Sequence, residues 1–139
     1  MFALLLALQF IHPATLSKPT GYTHAVKAAN CTMVFVSGQV ALDAKGEVVG
    51  KDDFARQAEQ VFFNLNEVLK ASGASFKDVA KFNTYVVSLT AERLAALRAA
   101  RNKWVTGENK PASTLVGVAA LARPDFLLEV EAVACVPPR

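Results

Sequence analysis

The chain has 139 residues, 53% of them apolar and 19% charged, which fits one domain with a substantial core and excludes a disordered chain. Fifteen Lys and Arg against twelve Asp and Glu leave a net charge of +3. Both signs are scattered, so no nucleic-acid partner is expected.

In chain order, residues 1–11 are apolar apart from Gln9 and contribute to a mean hydropathy of +0.28. The run is shorter than the roughly 20 residues a membrane helix needs, and no basic segment precedes it as in a secretory signal. It is expected to pack on the surface or stay loose, with no membrane partner. Residues 13–21, with two prolines and a glycine, form a loop. Residues 22–28 and 32–36 are predicted strands, with Gly38 at a bend or bulge and a turn at 43–46. Residues 52–72 give the clearest helix: Asp52 or Asp53 caps it, and Gly73 closes it. Phe54, Ala58, Val61, Phe62, Leu65, Val68 and Leu69 share one face. A capped turn at 75–78 precedes a strand over 79–89. Thr90 caps a second helix running to about residue 105. Strands at 113–120 and 126–136 complete the order β-β-α-β-α-β-β. This is an α+β domain with a mixed sheet and two helices on one face. The strand at 32–37 is apolar on both sides, so the uncovered face is expected to meet another copy of the chain.

The cysteines, Cys31 and Cys135, belong to no CxxC pair and are expected as buried thiols in a reducing cytosol, which places the protein in the cytoplasm. Two histidines cannot make the common zinc sites, and the zinc-deaminase pattern is absent, so no metal or cofactor is expected. Glu129 and Glu131 lie on the same side of the last strand. They could form an acid/base pair, or a solvated or edge-protecting face. Ser37-Gly38-Gln39 could hold a small polar ligand or be a plain bulge. Arg98 and Arg101, three apart on the second helix, could gather a carboxylate or simply face solvent.

Together these pieces resemble the RidA/YjgF family of reactive-intermediate deaminases. The matching segments are Val36-Ser37-Gly38-Gln39-Val40 and Gly46-Glu47-Val48-Val49, then Gln57-Ala58 and Asn64-Leu65 on the first helix. Ala71-Ser72-Gly73-Ala74-Ser75, Asp78-Val79 and the stretch from Pro111-Ala112 to Leu128-Glu129-Val130-Glu131-Ala132 complete them. The resemblance runs from about Tyr22 to Val136. Residues 1–15 therefore count as an extension outside the family fold, and 16–139 as the domain.

The resemblance implies a chorismate-mutase-like fold, a homotrimer, and ligand clefts between subunits. It implies metal-free hydrolysis of enamines or imines to ammonia and a ketone or keto acid. It also implies that Tyr22 and Ser37 line the pocket, with Gly38 beside it, and that Glu129 positions the attacking water. The family's Pro-Ala-Arg, whose arginine clamps the substrate carboxylate, stands here as Pro111-Ala112-Ser113. A serine forgoes a charge-assisted contact worth about 1.5–3 kcal/mol. Arg98 falls near a site-lining asparagine of active members. The expectation is therefore a hydrolase with a different or less acidic substrate, held by Ser113, Thr114 and backbone groups. A non-catalytic trimer that binds a small molecule is the alternative, and a ribonuclease a distant third.

Overall fold

The computed structural model describes residues 6–139. Strands β1 (Leu8–Ile11) and β2 (Ala25–Ala28) pair antiparallel as a two-stranded ribbon. Strands β3 (Thr32–Gln39), β4 (Val79–Val87), β5 (Ala112–Val118) and β6 (Leu128–Val136) form a mixed sheet in the order β3-β6-β4-β5. Only β4 and β5 are parallel, and helix α2 (Ala91–Asn102) connects them, because parallel neighbours need a long crossover. The α+β class with two helices and a mixed sheet is as the sequence predicts.

Helix α1 (Phe54–Ala71) starts where the Asp53 side chain accepts from the Arg56 N–H at 3.0 Å. It ends at Ser72, where the Ala74 N–H reaches Leu69 O at 2.8 Å and Gly73 takes φ +72°. The predicted apolar stripe is its buried face: Phe54, Ala58, Val61, Phe62, Leu65 and Leu69. This face lies on the side of the sheet formed by Val36, Phe82, Val86, Leu128, Val130, Ala132 and Ala134. Phe62, Phe76 and Phe82 meet with ring centroids 6.3 Å apart. Gln57 is fully buried within this core. Its amide donates to Gly50 O at 3.1 Å and Asp125 O at 2.8 Å, and accepts from the Leu127 N–H at 2.9 Å. It thus satisfies three loop groups that burial would otherwise leave unpaired.

One expectation needs correction. Cys31 and Cys135 form a disulfide, with Cα atoms 5.4 Å apart and a sequence separation of 104. The antiparallel register pairs Thr32 with Val136 and Met33 with Cys135, which brings the start of β3 to the end of β6. The cysteines therefore no longer argue for a reducing cytosol. The apolar N-terminal run takes a regular form that the sequence did not specify: residues 8–11 are β1, hydrogen-bonded to β2, with Phe10 beside Phe76 and Trp104. The rest of that expectation, for residues 1–5, lies outside the described residues. No helix among the described residues is long and apolar enough to cross a membrane.

Candidate functional site

Side chains alternate across each strand, so the sheet sorts the polar residues onto two sides. On β6, Leu128, Val130, Ala132 and Ala134 point to the helices, while Glu129 and Glu131 point to the open face. The register sets Tyr85 beside Glu129 and Asn83 beside Glu131. Tyr85 Oη donates to Glu131 Oε1 at 2.8 Å, and Asn83 Nδ2 donates to the same oxygen at 2.9 Å. Two donors on one oxygen fix that carboxylate in place. The Tyr85 hydroxyl is held above its ordinary pKa of 10.0, first by this hydrogen bond, then by burial and by the charges of Glu131 and Glu129.

Glu129 is different. It is half-buried and has no hydrogen-bond partner among the described residues. Its carboxylate lies directly over the bulge of β3, where the register shifts between Val36 and Gln39. A Cβ added at Gly38 would sit 1.9 Å from Glu129 Oε1, so only glycine admits this arrangement. Ser37, next to it, is exposed, and its carbonyl accepts from the Gln39 amide at 3.1 Å. The Asn64 amide grips Val40 O and Leu42 O at 3.0 Å each, pinning the chain just beyond the bulge to α1. Thr114 is in register with Asn83 and so shares the open face, where it accepts from Lys81 Nζ at 3.3 Å.

The remaining predicted residues lie on the other side. Ser113 is in register with the buried Phe82, so it faces the helices. Thr23 is buried; its N–H bonds Pro111 O at 3.2 Å and its hydroxyl bonds Lys110 O. These bonds lay the 20–23 segment along the start of β5. Tyr22, Arg98 and Ser113 thereby line one cleft of about 250 Å³, with Thr20, Gly21 and Arg101. Hence the structure groups Glu129, Gly38, Ser37 and Thr114 with the open face, and Tyr22, Arg98 and Ser113 with the helix-side cleft. A separate cleft of about 450 Å³, beside Phe10, Phe76 and Trp104, holds none of them. Asn83 and Tyr85 were missed from the sequence. The period-two alternation of β4 puts them opposite Phe82 and Val86, but only the β4–β6 register shows that they meet the glutamates.

A family model described as Endoribonuclease L-PSP matches residues 14–136. The chain belongs to the RidA/YjgF/L-PSP (RutC) family. It is 38% identical over 119 residues to a RutC family protein of Pyrococcus horikoshii, covering 84% of this chain and 89% of that one. The crystal structure of a Rid family protein of unknown function, YyfB of Yersinia pestis, superposes with a TM-score of 0.88 at 39% identity, covering 94% of this chain and 100% of the other. RidA of an Antarctic Psychrobacter superposes with a TM-score of 0.66 at 32% identity, covering 92% and 99%. The α+β sheet with two helices is thus a YjgF-like arrangement.

Proposed function

We propose that the chain hydrolyses reactive imines or enamines at clefts formed between copies of itself. The observation that carries this reading is the unengaged carboxylate of Glu129, held over Gly38 while its neighbour Glu131 is tied down by Tyr85 and Asn83. A carboxylate with free lone pairs can accept a proton from water. The oxygen of that water then bonds to the imine carbon. That proton passes to nitrogen and leaves a carbinolamine. The hydroxyl proton of the carbinolamine then moves, again by way of Glu129, to the amino nitrogen, so that the C–N bond breaks as the C=O bond forms and ammonia leaves with a carbonyl compound behind. The sequence resemblance and the family membership supply the reaction class, and the carboxylate supplies the base.

Assembly supports the same reading. Glu129 and the Tyr22–Ser113 cleft lie on opposite sides of one sheet, so a single chain does not present both to one substrate. The open face also exposes Phe35 (78%), Met33 (41%) and Val116 (40%), an apolar surface that another copy would cover. A homotrimer, as the resemblance implies, would place the open face of one subunit against the cleft of the next. The ribonuclease reading has less support, because the open-face cluster is acidic and repels a phosphate backbone.

The test is ammonia release from freshly generated imines, with sedimentation of the same sample. Glu129→Gln is expected to lower the rate at least ~100-fold, and the parent is expected to sediment at three times the chain mass. Equal rates for variant and parent remove Glu129 from the chemistry. A parent that binds small carboxylates but turns over no imine selects the non-catalytic reading, which Ser113 in place of arginine favours. A monomer at micromolar concentration overturns the assembly.

A further inference from the structure

The helix-side cleft carries more positive charge than the loss of an arginine at position 113 leads one to expect. Arg98 and Arg101 both line it, three residues apart on α2 and hence on one face. The cleft continues past Asn102 to Lys110, and among the described residues no acidic one lines either part. Neither arginine has a carboxylate within 4.0 Å among the described residues. Arg101 is half-buried, and its one hydrogen bond is a long contact of 3.5 Å to Asn102 Oδ1. Its guanidinium is nonetheless held against the chain at Gly21. A Cβ there would lie 2.9 Å from Arg101 Nη2, and Gly21 takes φ +76°, so glycine makes room for the cation. Burial, followed by the charge of Arg98, lowers the Arg101 pKa from its ordinary value. Lys110 adds a third cation, tethered by its bond to Val105 O at 2.9 Å. Gathering like charges costs free energy that the chain's own acidic groups do nothing to offset here. A bound anion would offset it.

We infer that Arg98, Arg101 and Lys110 form the anion-binding wall of this cleft, in place of the strand arginine, and that its ligand carries two anionic groups, as a dicarboxylic 2-oxo or 2-imino acid does. This rests on the proposed imine hydrolysis only for the nature of the ligand's reacting end. The wall recognises the charged ends. One guanidinium suffices for one carboxylate through a two-pronged pair, which leaves the other guanidinium and the ammonium for a second. Of the two alternatives that Ser113 leaves open, the wall favours a different anionic substrate over a less acidic one.

The experiment is calorimetric binding of stable product-like acids to the full chain, with no turnover needed. 2-Oxoglutarate is expected to bind at least ~10-fold more tightly than 2-oxobutyrate, which has one carboxylate fewer. Arg101→Gln and, separately, Arg98→Gln should each weaken 2-oxoglutarate at least ~10-fold, and Arg101→Lys should recover part of the loss. Lys45→Gln, on a distant exposed turn, removes the same net charge and should leave binding unchanged. Equal affinity for the two acids, or unchanged binding by Arg101→Gln, overturns the inference. Inorganic phosphate displacing 2-oxoglutarate at lower concentration overturns the dicarboxylate assignment in favour of a phosphorylated ligand. If Arg101→Gln loses 2-oxoglutarate while the parent hydrolyses no imine, this site stands and the proposed reaction falls. If Glu129→Gln abolishes hydrolysis while Arg101→Gln binds as the parent does, the reverse holds.

Discussion

The open face of the sheet and the helix-side cleft are built by opposite means. The open face gathers negative charge and satisfies part of it with uncharged donors: Tyr85 and Asn83 engage Glu131, and Glu129 is left without a partner among the described residues. The cleft gathers positive charge and leaves it without an acidic partner. Satisfied polar groups hold a geometry, whereas unsatisfied ones wait for a ligand. The open face therefore has the character of a positioned base, and the cleft that of a receptor. A period of two residues separates them: Ser113 and Thr114 are adjacent in sequence, yet one faces the arginines and the other the glutamates.

The largest effect is expected from cutting the staple across the open face. The disulfide joins the start of β3, the strand of Gly38, to the end of β6, the strand of Glu129. Closing a loop of about 100 residues restricts the unfolded chain by about 4–5 kcal/mol. The double variant Cys31→Ser, Cys135→Ser should lose about this much in denaturant melts. Strong reductant should lower the parent's stability and leave the variant's unchanged. A parent indifferent to reductant would show that the register of β3 and β6 alone holds these strands.

Next in size is Gly38→Ala. The added Cβ meets Glu129 Oε1 at 1.9 Å, so the carboxylate must swing away. A displacement of about 1 Å at the reacting group costs on the order of 100-fold in rate, and imine hydrolysis should fall by at least this factor. Binding of 2-oxoglutarate in the cleft should change far less, because no residue of the cleft is within reach of position 38. Equal losses in both measurements would mean that Gly38 and Glu129 of one copy also hold the acid bound in the cleft of the next.

The sequence made one region more legible than the other. Period-two alternation placed Glu129 and Glu131 on one side, and the helical period placed Arg98 and Arg101 together. Both patterns depend only on neighbours in the chain. What it left hidden depends on register. Thr32 opposite Val136 brings the cysteines together, and Asn83 opposite Glu131 completes the acidic cluster. Such pairings are set by long-range packing that no local window contains. The β1 strand was missed for a related reason. An apolar run reads alike as a loose extension or a strand until its partner, here Ala25–Ala28, is known.

The smallest effect tests whether Tyr85 belongs to the scaffold or to the chemistry. Its pKa is raised in the folded chain, chiefly by donating to Glu131 and then by burial and the two nearby charges. A group whose pKa is raised on folding contributes stability that is fully present below its unfolded value, here the ordinary 10.0, and is lost as pH rises through the folded value. The parent should thus lose stability above about pH 10 more steeply than Tyr85→Phe, while the two differ by an approximately constant amount near neutral pH. With the fold retained, hydrolysis by Tyr85→Phe near neutral pH should fall only a few-fold, because Asn83 still holds the same oxygen of Glu131. Parallel alkaline melts for parent and variant would show that the tyrosine's ionisation is not linked to folding. A loss in rate as large as that of Glu129→Gln, with an unchanged melt at neutral pH, would move Tyr85 from holding Glu131 to taking part in the proton transfer itself.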